Sequence, residues 1–125
     1  MQIPNILIAE DDAVLREVYT RKFSRMGYAV RTAENGQIAA EMIRKLAPDL
    51  LLCDILMPGR DGWWLLEEFP KQKRSFPVIM LTNLEDQATR KRSNAFADGY
   101  FVKRTMTLQS LLEMTAGLLE RRKKQ

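Results

Sequence analysis

Short, β-rich apolar runs alternate along this chain with segments whose apolar residues recur every three to four positions. The runs are Ile-Leu-Ile-Ala at 6–9, Ala-Val-Arg-Thr-Ala at 29–33, Leu-Leu-Leu-Cys at 50–53, Val-Ile-Met-Leu at 78–81 and Tyr-Phe-Val at 100–102. Three of them are almost wholly apolar, as strands buried on both faces are. Between them lie helical stripes. Leu15, Val18, Tyr19, Phe23 and Met26 form the first, with Gly27 as its stop signal. Ile38, Ala39, Met42, Ile43 and Leu46 form the second, ended by Pro48, and Leu65, Leu66 and Phe69 the third, ended by Pro70. Leu108, Leu111, Leu112, Leu118 and Leu119 form the last. The fourth segment, from Glu85 to Ala97, is thin: Ala88, Ala95, Phe96 and Ala97 stand against Arg90, Lys91 and Arg92. A helix anchored so lightly is expected among the less stable elements. Five βα units with short links predict an α/β fold, a parallel sheet covered by helices on both faces. An eight-stranded barrel needs more chain. A dinucleotide-binding fold wants glycines after the first strand, where this chain has Glu10, Asp11 and Asp12.

Composition narrows the chemistry. At 125 residues, 46% apolar and 29% charged, the chain has the profile of one soluble globular domain. No apolar run approaches the ~18 residues that span a bilayer, so no membrane span is expected. The opening residues Met1 to Asn5 lack the features of a secretory signal. Cys53 is the single cysteine, which excludes a disulfide framework or a multi-cysteine zinc site and suits a reducing, cytoplasmic setting. There is no histidine, which removes His-activated nucleophiles and His-ligated metals. The net charge of +4 resides in Arg121, Arg122, Lys123 and Lys124; the remainder has 16 basic and 16 acidic residues. Residues 1–120 are therefore read as the domain and 121–125 as a basic, solvated helix end. A basic stripe of the kind that binds nucleic acid is not indicated.

The informative residues follow the runs. In a parallel sheet all carboxyl ends of strands lie along one edge, where open α/β folds bind ligands. Glu10, Asp11 and Asp12 follow the first run, Asp54 the third, Thr82 and Asn83 the fourth, and Lys103 the fifth. Crowded carboxylates repel and call for a cation. Oxygen donors without histidine or cysteine suit a hard ion, and Mg2+ fits best, sharing its coordination with phosphate oxygens. Asp54 is placed as a carboxylate nucleophile toward phosphorus, Lys103 as a fixed charge for phosphoryl oxygens and Thr82 as a hydrogen-bond donor to one of them. Asp12 reads as a helix N-cap, and so does Asn83 with Asp86 three residues on. Cys53 reads as a small core residue, and Asp49, Asp61 and Asp98 as loop acids beside turns.

The chain resembles the receiver domains of two-component response regulators over nearly all its length. Ile-Leu-Ile-Ala-Glu-Asp-Asp at 6–12 is similar to the family's first strand and acidic pair. Leu-Leu-Cys-Asp-Ile-Leu-Met-Pro-Gly-Arg-Asp-Gly at 51–62 resembles its phospho-acceptor segment, the most specific stretch. Val-Ile-Met-Leu-Thr at 78–82 and Gly-Tyr-Phe-Val-Lys at 99–103 resemble its last two strands. The resemblance implies a flavodoxin-like (βα)5 fold with a doubly wound five-stranded sheet in the order 2-1-3-4-5. It implies Asp54 as acceptor, and Glu10, Asp11, Asp54 and the backbone carbonyl of Leu56 as Mg2+ ligands. It makes Thr82 and Lys103 phosphoryl-stabilising, and Thr82 with Tyr100 the switch pair. The partners implied are a histidine kinase or phosphotransfer protein and a downstream protein. The switching face is that of the fourth helix, fifth strand and fifth helix, through which a homodimer is also expected. Such a domain is not a conventional enzyme but catalyses its own Mg-dependent phosphorylation and slow dephosphorylation.

Several positions depart from the family. Arg104 follows Lys103 where a cis proline is usual, so either a strained cis bond (~3 kcal/mol) or a trans bond with a shifted loop is expected. Asn83 stands where a small residue is usual, and Phe96 where a glycine commonly ends the fourth helix. Leu56 and Leu84 occupy positions that often carry polar groups; apolar side chains there position an attacking water poorly, hence slow self-dephosphorylation. Arg90, Lys91, Arg92 and Arg104 make the switching face basic, suited to an acidic partner or a second copy. Trp63 is expected to lean to the core and Trp64 to point outward as a binding anchor or to lie flat on a neighbouring helix. No helix-turn-helix for DNA is discernible, so output through a protein contact is expected. The departures motivate an alternative, a receiver-like binding module that works without phosphorylation. An Asp-nucleophile phosphatase ranks last, since Leu56 occupies the place of its general acid.

Overall fold

The apolar runs pair into one parallel sheet in the computed structural model, which describes residues 2–84 and 86–123. The strands are β1 (Asn5–Ala9), β2 (Ala29–Ala33), β3 (Leu50–Asp54), β4 (Val78–Thr82) and β5 (Gly99–Val102). Their order is β2-β1-β3-β4-β5, as expected. The helices are α1 (Ala13–Arg25), α2 (Gly36–Lys45), α3 (Gly62–Glu68), α4 (Gln87–Phe96) and α5 (Leu108–Lys123). The three apolar strands β1, β3 and β4 are central and buried; β2 and β5 are the edges. Alternation along each strand splits the core into two layers. Leu7, Leu51, Val78 and Met80 pack with Ala39, Ile43, Leu65 and Leu66 of α2 and α3. Ile6, Ile8, Leu52, Ile79 and Leu81 pack with Tyr19 and Phe23 of α1 and Leu111 and Leu119 of α5.

Side chains fix the helix ends. Asp12, Asn35, Asp61 and Asp86 cap the starts of α1 to α4. Helix α1 closes in a Schellman turn: Gly27 has φ +94°, its N–H donates to Ser24 and that of Tyr28 to Phe23. The rings of Phe23 and Tyr28, 5.9 Å apart, complete the motif. Helix α4 buries only Ser93 within its span, in keeping with its thin apolar stripe; Glu85, where the sequence pattern begins it, lies outside the described residues.

Four readings change. Asp61 is a helix cap, its carboxylate accepting from Trp64 N–H at 2.9 Å. Asp98 accepts from Val78 N–H and from Arg74, both at 2.9 Å, and Asp49 from Asn5 N–H and Arg122, both at 2.7 Å. These two acids are staples between segments far apart in sequence, which turn composition does not reveal. The cap of α4 is Asp86 rather than Asn83, and the Asn83 carbonyl accepts from Arg104. The basic tail is helical through Lys123, with Arg122 bound to Asp49; Lys124 and Gln125 lie outside the described residues. No peptide bond among the described residues is cis, so Lys103–Arg104 is trans.

Candidate phosphoryl-transfer site

The parallel register gathers the strand ends. Ala9 pairs with Cys53, Asp54 with Leu81 and Thr82 with Val102. The residues that follow therefore share one sheet edge, at the point where the chain order reverses between β1 and β3. Carboxylate oxygens of Glu10, Asp11 and Asp54 lie within 4.8 Å of one another. The Lys103 ammonium reaches Glu10 Oε1 at 2.7 Å and Asp54 Oδ2 at 3.1 Å. Glu10 and Asp54 are buried, while Asp11 is exposed and opens the cluster to solvent.

Two glycines make room for the loop that follows Asp54. A Cβ at Gly62 would lie 2.3 Å from the Asp54 carbonyl oxygen, so only glycine lets the start of α3 approach the end of β3. A Cβ at Gly36 would lie 2.5 Å from the Arg60 carbonyl, which Gly36 N–H binds at 2.8 Å. The β3–α3 loop is thereby fixed to α2 as well as to its own strand. Leu56, in that loop, is 60% exposed. Cys53 is fully buried and burial pushes its thiol up, which leaves it inert.

Three carboxylates against one ammonium leave the cluster with excess negative charge. Burial pushes the Asp54 carboxyl up to about 8, helped by its hydrogen bond and charge repulsion with Glu10, against the opposing pull of Lys103. Burial opposes the charge on Lys103, but Glu10 and Asp54 together hold its ammonium above the ordinary value. An all-oxygen donor set with surplus negative charge fits a hard divalent ion, so the residues present suit Mg2+.

The buried Thr82 and the half-buried Tyr100 meet through one residue. Thr82 Oγ1 accepts from Leu84 N–H at 2.9 Å, and the Tyr100 hydroxyl donates to the Leu84 carbonyl. Because Thr82 Oγ1 uses a lone pair there, its own proton stays available for a phosphoryl oxygen. The Arg90 guanidinium covers the Tyr100 ring at 5.3 Å.

The arginines and tryptophan of the expected partner surface are engaged within the fold. Arg92 lies 4.1 Å over the Trp63 ring and pairs with Glu67. Arg104 donates to Asn83, and Arg60 covers Trp64 at 5.0 Å. Both tryptophans are half-buried against the α2–α3 core, where Trp64 packs beneath Arg60. Sequence reasoning missed Arg16, which donates to the carbonyls of Glu10 at 2.8 Å and Asp11 at 3.3 Å. Its position one turn into α1 gave no signal, since a solvated helix face carries arginines as a matter of course.

The family model for the response regulator receiver domain matches residues 6–116. Response regulator MprA of Mycobacterium ulcerans is 34% identical over 119 residues, 94% of this chain and 51% of that protein. "Probable transcriptional regulator ycf27" of Guillardia theta is 37% identical over 99 residues, 78% of this chain and 39% of its own. The chain thus spans about two fifths to a half of the length of these curated relatives. A CheY-like receiver domain protein from Methanospirillum hungatei superposes with a TM-score of 0.90 at 27% identity, covering 98% of both chains. The receiver domain of Francisella response regulator 1452 does so with 0.87 at 27% identity, covering 94% of this chain and 98% of its own.

Proposed function

Since this chain belongs to the response-regulator receiver family of two-component signalling, we propose that Asp54 takes a phosphoryl group from a histidine kinase or phosphotransfer protein in a Mg-dependent reaction. The observation that carries this reading is the meeting of Glu10, Asp11, Asp54 and Lys103 at one sheet edge, with Lys103 bridging the acceptor and its neighbour. Glu10, Asp11, Asp54 and the Leu56 carbonyl hold the ion, which when bound supplies the charge that lets carboxylates and phosphoryl oxygens share one site. An Asp54 carboxylate oxygen attacks phosphorus in line, a P–O bond forms and the bond to the donor's nitrogen breaks. Lys103 and the Thr82 hydroxyl receive the transferred oxygens.

The output follows from the same residues. Thr82 turning toward a phosphoryl oxygen pulls on Leu84, and Leu84 is what the Tyr100 hydroxyl holds. The lightly anchored α4 borders both, so the α4-β5-α5 face, with Arg90, Arg92 and Arg104, is the surface that changes toward a downstream protein or a second copy. A cytoplasmic setting belongs to this reading. The exposed apolar Leu56 beside the acceptor supports slow self-dephosphorylation; a half-life of seconds would count against it.

The test is mass measurement after mixing with Mg2+ and acetyl phosphate. The native chain is expected to gain one phosphoryl group and Asp54→Asn none. No gain on the native chain would overturn the reading and favour a module that binds its partner without phosphorylation.

A further inference from the structure

Resting on the reading above, we infer that Arg16 is a positioning residue that shapes the divalent-ion site from behind. The turn between β1 and α1 must aim two carboxylates at the cluster, and several contacts hold it, one of them from Asp12 N–H to Glu10 Oε2 at 3.2 Å. Glu10 N–H donates to Ala33 at 3.0 Å. The Asp12 carboxylate caps Val14 and Leu15 N–H at 2.9 and 3.1 Å. Arg16 Nη1 donates to the carbonyls of both Glu10 and Asp11, at 2.8 and 3.3 Å. Among the described residues no other side chain donates to these two carbonyls. One half-buried guanidinium therefore fixes the peptide planes of the two successive acids. Their side chains in turn supply two of the three carboxylates of the cluster. Arg16 itself is anchored by helix α1, where its backbone N–H binds Asp12 at 2.9 Å and its carbonyl accepts the Thr20 hydroxyl at 2.7 Å.

Charge and position make opposite predictions, which gives the inference its test. A cation near a dication site repels the ion, so removing it should tighten Mg2+ binding by Coulomb's law alone. If Arg16 acts by holding the turn, removing it weakens binding instead. The experiment is calorimetric titration of Mg2+ alone into the native chain, Arg16→Met and Arg16→Lys at fixed ionic strength, with circular dichroism to verify folding. Arg16→Met is expected to bind about tenfold more weakly, the scale of outer contacts that orient metal ligands. Arg16→Lys keeps the charge but loses the planar fork, and a loss of about threefold is expected. Affinity equal to or tighter than native in Arg16→Met overturns the inference while leaving the phosphoryl-transfer reading intact. Should Arg16→Met not fold, native affinity in Arg16→Lys does the same. A native chain that takes up no Mg2+ removes the reading itself, and the inference with it.

Discussion

The two ends of the sheet use the same residue types and differ in their balance. At the amino end of the strands, Asp49 faces Arg122 and Asp98 faces Arg74 and Lys71, so every acid has at least one base of its own. At the carboxyl end, Glu10, Asp11 and Asp54 share the single Lys103. Balanced pairs bind segments together and need nothing further. An unbalanced cluster, buried in part, carries surplus charge that a proton or a cation relieves. The surplus charge, rather than the presence of acids, distinguishes site from staple.

The sharpest way to break this contrast is Arg74→Met. Arg74 is almost wholly buried and donates to the carbonyls of Phe69 and Phe76 as well as to Asp98. Its loss is expected to cost about 3–5 kcal/mol in urea unfolding, against no change in Mg2+ uptake. Next in size is the cation itself. Mg2+ at a hundredfold excess over its Kd is expected to stabilise the native chain by about 2.7 kcal/mol, and unfolding midpoints with and without the ion measure it. Asp11→Asn should lose most of that gain and Asp98→Asn keep it.

The pH profiles should run in opposite directions. Asp54 is raised, so without divalent ions its contribution is complete below the ordinary value of 3.8 and is lost as pH climbs through about 8. Asp54→Asn should flatten that decline and unfold later than native by roughly 1–2 kcal/mol in mildly alkaline buffer. Asp49 is lowered: burial works against it, but Asn5 N–H and Arg122 outweigh burial. Its contribution is present above 3.8 and is lost on acidification. The smallest effect is Asp49→Ala, about 1 kcal/mol for two hydrogen-bonded partners at a partly solvated pair. Thermal scans from acid to alkaline pH would compare the two acids directly.

Much of this was legible in the residues. Each strand lies within one residue of its run, and in the central β1, β3 and β4 burial on both faces leaves little choice of residue type. The site residues were legible because a parallel sheet sends every strand end to the same edge. What could not be read were partnerships across the fold. Asp98 with Arg74, Asp49 with Arg122, and Arg92 on Trp63 depend on helix orientation and strand register, which no local spacing encodes. The glycine at 62 was visible as a turn residue, but the contact that demands it, with the Asp54 carbonyl, exists only once α3 has docked.

Trp63 has a use beyond packing. Its indole, on α3, lies 4.1 Å from the Arg92 guanidinium and meets the Phe96 ring in a T-shaped contact at 6.0 Å, both partners belonging to α4. Any shift of α4 against α3 alters the electric field across that ring and hence the colour and yield of its emission. The ring is thus a built-in optical gauge of where α4 sits against α3, readable in real time with no dye attached.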